Sequence, residues 1–280
     1  MQNVTLGRPS VLFAMLAAAT LAPIGGAYAA GLEPETVLYS FCAKGGKTCT
    51  DSAEPVAALV SNAAGRLYGT TQAGGAHSKG TVFELTPNAA KTKWAANAAK
   101  TKWTETVLYS FCAQNCTDGF HPLAGLIMDR TGRLYGTTDA SGGKNRFGTV
   151  FELAPNMAKT KWTETVLYSF GAHPSDGSFP NGLTIDAKGA LYGTASSGGS
   201  HDEAGVVFEV SPNAAKTKWT ETILYDFCAR SAGGEPCVDG YQTNSGLVMD
   251  AAGHLYGTTI EGGAYPGTNG KGGGTVFELP

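Results

Sequence analysis

Val107-Leu108-Tyr109-Ser110-Phe111 opens a set of four short apolar runs, continued by residues 126–129, 134–138 and 149–153. The set occurs four times, opening at Val37, Val107, Val166 and Ile223, with spacings of 70, 59 and 57 residues. The long first spacing has a local cause. Residues 88–94 are rewritten almost at once as 97–103, and without those nine residues the spacing is 61. A period of this size with four β-like runs per unit points to propeller blades. The expectation is an all-β chain of four blades, each of four antiparallel strands. The repeats cover about 35–94, 104–156, 163–213 and 220–280, within a single domain 30–280.

Residues 107–111 and 149–153 are apolar on both parities, so both faces of these strands should be covered. Sheets stacked face to face bury both faces in this way, whereas a sheet with one wet face would alternate. Between the second and third runs of the quoted unit lies Asp129-Arg130-Thr131-Gly132-Arg133, read as a hairpin turn in which Asp caps its own backbone. Asp186 and Asp250 repeat it, and Asn62 replaces them in the first unit, a swap that capping tolerates and acid–base chemistry does not. The expected strand order runs from residues 126–129 innermost, through 134–138 and 149–153, to segments of the 107–111 type outermost. The chain then starts on an outermost strand, 37–41, and ends on a third strand, 275–279. Pairing the two closes a four-bladed ring and removes a sheet edge. Half of an eight-bladed ring shared with a second copy is the alternative.

The N-terminus fits a secretory signal peptide over residues 1–29. Arg8 supplies the positive region, 11–22 the apolar core, and Ala27-Tyr28-Ala29 the cleavage site. The apolar stretch is short for a membrane span, and no lipid-anchor cysteine follows the cleavage point. A secreted or periplasmic location is expected. Six cysteines suit that oxidising setting, as near neighbours Cys42 and Cys49, Cys112 and Cys116, and Cys228 and Cys237. The third unit has Gly171 where the first Cys should stand and lacks the second as well, which argues for pairing within each loop. Thiol pairs without nearby His are poor metal ligands, and their spacing is not that of a redox motif.

The units Gly132-Arg133-Leu134-Tyr135-Gly136-Thr137-Thr138, Gly142-Gly143 and Gly148-Thr149-Val150-Phe151-Glu152-Leu153 resemble the GloVer tandem repeats, named for Gloeobacter and Verrucomicrobia. The likeness covers nearly all of the chain beyond the signal peptide. It implies an exported bacterial protein with a β-propeller-like fold. Members often carry a sorting anchor, and none is recognisable here. The resemblance carries no activity.

One Asp per unit stands at an equivalent loop position: Asp51, Asp118, Asp176 and Asp239, the last three followed by Gly. Converging on an axis, they could hold a hard cation such as Ca²⁺ or bind sugar hydroxyls. The bland alternative is a repeated Asp-Gly turn. Nearby Phe120, His121, Phe179 and Tyr241 vary between units, as a ligand-selecting rim would. Glu84, Glu152, Glu209 and Glu278 recur mid-strand and are read as bonded to neighbouring hydroxyls or solvent. Trp103, Trp162 and Trp219 are read as perimeter packing, with Trp94 in the duplicated hairpin. Lysines 91, 93, 100, 102, 159, 161, 216 and 218, with Arg66, Arg130, Arg133 and Lys188, should gather on the face opposite the Asp loops.

No zincin, Walker, nucleophile-elbow or dinucleotide motif is present. With 20 Lys and Arg against 23 Asp and Glu, the formal charge is −3, which argues against a nucleic-acid partner. The expectation is a non-catalytic, secreted binding propeller without a cofactor, recognising carbohydrate or a cell-surface protein. The alternatives are a carbohydrate-active hydrolase or lyase using acids on the loop face, and a structural envelope protein.

Overall fold

The computed structural model describes residues 36–88, 103–140, 146–230, 237–265, 267 and 271–280. The expected signal peptide, the duplicated hairpin with Trp94 and its four lysines, and Gly142-Gly143 lie outside the described residues. All strands fall within the compact unit Leu38–Pro280.

The strands form four four-stranded antiparallel sheets. Sheet 1 draws on β1 (Ser52–Ala53), β2 (Val60–Ser61), β3 (Leu67–Thr71), β4 (Ala73–Gly74), β5 (Thr81–Pro87) and β6 (Trp103–Ser110). Its order is β2-β3-β5-β6, with β1 and β4 paired as a separate ribbon. Sheet 2 runs β7 (Ile127–Met128), β8 (Leu134–Thr138), β9 (Thr149–Pro155) and β10 (Trp162–Ser169) in simple succession. Sheet 3 does the same with β11 (Gly177–Ile185), β12 (Leu191–Gly198), β13 (Val206–Pro212) and β14 (Trp219–Asp226). In sheet 4, β15 (Tyr241–Thr243) and β16 (Val248–Met249) both pair with β17 (Leu255–Glu261), which pairs with β18 (Thr275–Leu279). Sheets 1 to 3 therefore take their outermost strand from the opening of the next unit.

Local chemistry explains the regular elements. Oδ1 of Asp129 accepts from the Thr131 and Arg133 amides at 2.8 and 2.9 Å, and Asp186, Asp250 and Asn62 make the same turn. The Gly of each Leu-Tyr-Gly-Thr run is required by close approach. A Cβ on Gly69, Gly136, Gly193 or Gly257 would stand 2.7, 2.7, 2.6 or 2.4 Å from the phenyl ring of Phe83, Phe151, Phe208 or Phe277. A bulge interrupts the third and outermost strands at one place in sheets 1 to 3, between Val82 and Phe83, Val166 and Tyr168, and Val207 and Phe208. It bends the outer strand and accounts for its apolar residues on both parities.

The cores lie between sheets. Tyr68, Val82 and Phe111 pack against Leu126, Leu134, Phe151 and Leu153 of sheet 2. The same positions join sheet 2 to sheet 3 and sheet 3 to sheet 4. At each junction the Phe that ends an outermost strand meets a Phe of the next sheet edge to face: Phe111 with Phe151, Phe170 with Phe208 and Phe227 with Phe277, at 5.1, 5.0 and 5.1 Å. Burying such a side chain contributes about 1.5–3 kcal/mol.

The expected pairing of residues 37–41 with 275–279 is absent among the described residues. Residues 36–40 form no strand, and β18 pairs with β17 alone. The contacts of this segment run to sheet 1 instead. Phe41 lies 5.0 Å from Phe83, and the Tyr39 hydroxyl donates to Asp51 and Glu105. Among the described residues sheet 4 therefore has no outermost strand, and its fourth member is the second piece of a divided inner strand. The exposures mark the unfilled place. Val82, Val150 and Val207 are fully buried, whereas their counterpart Val276 is 81% exposed. Leu126, Leu183 and Leu247 are 6–7% exposed and Leu59 is 50% exposed.

Candidate functional site

A cavity of about 310 Å³ opens where the four sheets present the segments leading into their innermost strands. Ala57 and Ala58 come from sheet 1, Leu123 to Gly125 from sheet 2, Phe179 to Gly182 from sheet 3, and Asn244 to Gly246 from sheet 4, with Asp139 and Ser196 beside them. Hydroxyls of the second strands fix these segments from one sheet to the next. Thr70 donates to the Ala124 carbonyl, Thr137 to Asn181 and Thr194 to Ser245, at 2.9, 3.0 and 2.7 Å. Thr258, the fourth member, instead shares a 3.1 Å bond with the Ser245 hydroxyl of its own sheet and is exposed.

At the start of each of these segments, or two to three residues before it, stands a non-glycine residue in the left-handed backbone region. These are Glu54, His121, Phe179 and Gln242, with φ of 60, 53, 58 and 53°. Such a conformation is strained for L-residues and concentrates at functional positions. Three of the four are latched to the preceding sheet. The His121 amide donates to the Lys79 carbonyl, Phe179 to Phe147 and Gln242 to Ala204, at 3.0, 3.0 and 2.8 Å. One backbone geometry thus recurs at a glutamate, a histidine, a phenylalanine and a glutamine close in sequence to the lining segments, and of the four Phe179 itself lines the cavity. Burial and the Lys79 charge hold His121 below the usual imidazole range, and burial raises Asp139.

Of the rim residues expected from sequence, His121 and Phe179 occupy this ring. Phe120 and Tyr241 stand one residue earlier. Phe120 bridges to Ala140 and lies under the Lys79 ammonium at 5.1 Å, and Tyr241 pairs with Glu261 in sheet 4. Glu54 and Gln242 escaped the sequence reading. A signal was available, since Pro55, Pro122 and Pro180 follow the ring position in three units.

The four Asp residues serve their own loops. Oδ2 of Asp118 accepts from the Tyr109 hydroxyl at 2.6 Å and the Ala113 amide at 3.0 Å. Asp176 accepts from Tyr168, Gly171 and Ala172 at 2.9, 2.7 and 2.9 Å. Asp51 accepts from Tyr39 and Ala43, and Asp239 from Tyr225 and Arg230. Beside Asp118 and Asp176 sits a half-buried glutamate of the next outermost strand. Burial, reinforced by the charge of Asp118 or Asp176, pushes Glu164 and Glu221 each up to about 8. Among the described residues no three His, Cys, Asp or Glu are grouped to hold a metal ion. Disulfides Cys42–Cys49, Cys112–Cys116 and Cys228–Cys237 close three of these loops.

The far ends of the strands carry the basic residues. β9 runs from Thr149, at the loop end, to Pro155, beside the hairpin of Lys159 and Lys161. The Lys159 ammonium hangs near Gly132 and that of Lys216 near Gly189, so these hairpins and the Asp129-type turns share one side. Two of the mid-strand glutamates are paired there, Glu84 with Arg66 at 2.8 Å and Glu152 with Arg133 at 2.9 Å. Trp162 and Trp219 are half-buried against the junction cores.

A comparison with curated proteins finds no match. The Gloeobacter/Verrucomicrobia repeat matches residues 32–277, a span that takes in all four sheets almost to the end of β18. The chain belongs to the Gloeobacter/Verrucomicrobia repeat family.

Proposed function

We propose that this is an exported, non-catalytic binding protein whose cavity face recognises carbohydrate or a cell-surface protein. The observation that carries the reading is the ring of Glu54, His121, Phe179 and Gln242. Four different residues share one left-handed backbone geometry at the approaches to the cavity-lining segments, and Phe179 lines the cavity. Three disulfides suit an oxidising compartment, and no described helix is long and apolar enough to cross a membrane.

The same reading takes the sheets as blades of a four-bladed propeller. Residues 35–41 repeat 105–111 and 164–170 letter for letter, and β18 has a free edge beside the exposed Val276. Pairing the two gives sheet 4 an outermost strand and covers Leu59.

The test is an array of bacterial envelope glycans probed with the protein in calcium and then in chelator. Saturable, selective binding that survives the chelator is the expected result, because Oδ2 of each repeated Asp already accepts from a tyrosine and an amide. Absence of saturable binding in both conditions contradicts the carbohydrate reading.

A further inference from the structure

We propose that the cavity holds a neutral saccharide ring stacked on Phe179, with Asp139, Asn181 and Ser196 taking its hydroxyls; this deepens the carbohydrate reading and rests on it. Phe179 is 37% exposed and held in the left-handed conformation, so its ring is displayed at the cavity wall instead of joining the core below. The Phe147 ring stands edge-on to it at 6.2 Å and 86°, and the Phe179 amide donates to the Phe147 carbonyl. A phenyl ring fixed at backbone and edge is a rigid platform that loses little entropy on contact, and its apolar face suits the C–H face of a sugar.

The polar partners surround that face. Asp139 lines the cavity, its main chain tied to His121 by a 3.1 Å bond. The amide group of Asn181 is spent on the Thr194 hydroxyl and the Thr243 carbonyl, at 3.0 and 3.1 Å, which leaves its Oδ1 to accept from a ligand. The Ser196 hydroxyl makes a long 3.4 Å bond to the Phe179 carbonyl, a contact a better partner can displace. These groups accept from hydroxyls, and among the described residues no Lys or Arg lines the cavity to give a phosphate or uronate ligand its counter-charge. The volume of about 310 Å³ lies at the small end of ligand cavities, room for a terminal sugar and not a long chain.

Calorimetric titration with cellobiose, maltose, lactose and di-N-acetylchitobiose tests the assignment. Wild type should bind at least one of them. Phe179→Leu should bind about tenfold more weakly, the loss of one aromatic contact, and Asp139→Asn should also weaken binding. Lys159→Ala, on the opposite side, should bind as wild type, and thermal melts should show each variant folded. Binding of a disaccharide that neither Phe179→Leu nor Asp139→Asn weakens overturns the subsite and leaves the carbohydrate reading standing. Binding to charged array glycans but to none of the four disaccharides overturns it too. No binding to either set overturns both.

Discussion

The Tyr109 hydroxyl donates to Oδ2 of Asp118 at 2.6 Å, and the same tyrosine-to-aspartate bond recurs at Tyr39 and Asp51, Tyr168 and Asp176, and Tyr225 and Asp239. The bond ties the ends of β6, β10 and β14, and the segment at Tyr39, to the loops that lead toward the cavity. It makes the repeated Asp an anchor for the site.

Removing the anchor should therefore cost stability. Asp118→Ala loses a buried charged acceptor and is expected to destabilise by about 2–3 kcal/mol, while Tyr109→Phe loses one hydrogen bond to a charge, about 1.5 kcal/mol. Urea unfolding of both variants measures this. Unchanged stability in Asp118→Ala together with lost glycan binding would instead make Asp118 a ligand contact.

The period, the strand order and the Asx turns are legible in the sequence because each rests on local chemistry repeated four times. Asp129 and Asn62 cap the same turn, and Gly136 must be Gly wherever a Phe ring crosses it. The Tyr partner of each Asp was equally repeated, and only the fold shows that the two meet. The ring at Glu54, His121, Phe179 and Gln242 is a different case. Nothing in an imidazole, a phenyl or a carboxamide signals a positive φ, and the amides of these three residues bond to the preceding sheet, a contact only the fold reveals. The junction between sheets 4 and 1 is less legible for a related reason. Residues 37–41 carry an outermost-strand sequence, but pairing with β18 depends on the whole stack, and the local partners Phe83, Asp51 and Glu105 hold the segment's end.

Stability should fall as pH rises. Burial and the neighbouring Asp118 hold the folded-state pKa of Glu164 at about 8, and Glu221 behaves alike beside Asp176, against 4.5 for an ordinary glutamate. The folded protein then binds protons that the unfolded chain releases. Their contribution is complete below the unfolded value and is lost as pH climbs through the folded one. The melting temperature should be higher at about pH 5 than at about pH 9. Glu164→Gln and Glu221→Gln should flatten the profile; an unchanged slope in the double variant would contradict the assignment.

The Cys112–Cys116 disulfide should contribute about 2 kcal/mol through the unfolded chain. Denaturant unfolding of Cys112→Ser/Cys116→Ser checks this. The third unit's loop has Gly171 and Asp176 and no disulfide, so the variant should still fold around its Tyr–Asp bond. Failure to fold would mean that this anchor is insufficient alone.

Val276→Asp separates an open stack from a closed ring. An 81% exposed valine on an open edge tolerates the change within about 0.5 kcal/mol. In a ring closed by residues 35–41 the position matches the buried Val82, Val150 and Val207, and the cost should exceed about 3 kcal/mol. The account predicts the large cost, and a neutral result would contradict closure.

The most direct test of the central claim is envelope-glycan binding by a variant with Asn at all four ring positions: Glu54→Asn, His121→Asn, Phe179→Asn and Gln242→Asn. Asn tolerates the left-handed conformation, so the backbone is kept while the four side-chain identities are erased. The account predicts a cooperative melt close to wild type together with loss of selective binding. A folded variant that binds the same glycans with wild-type affinity would contradict it.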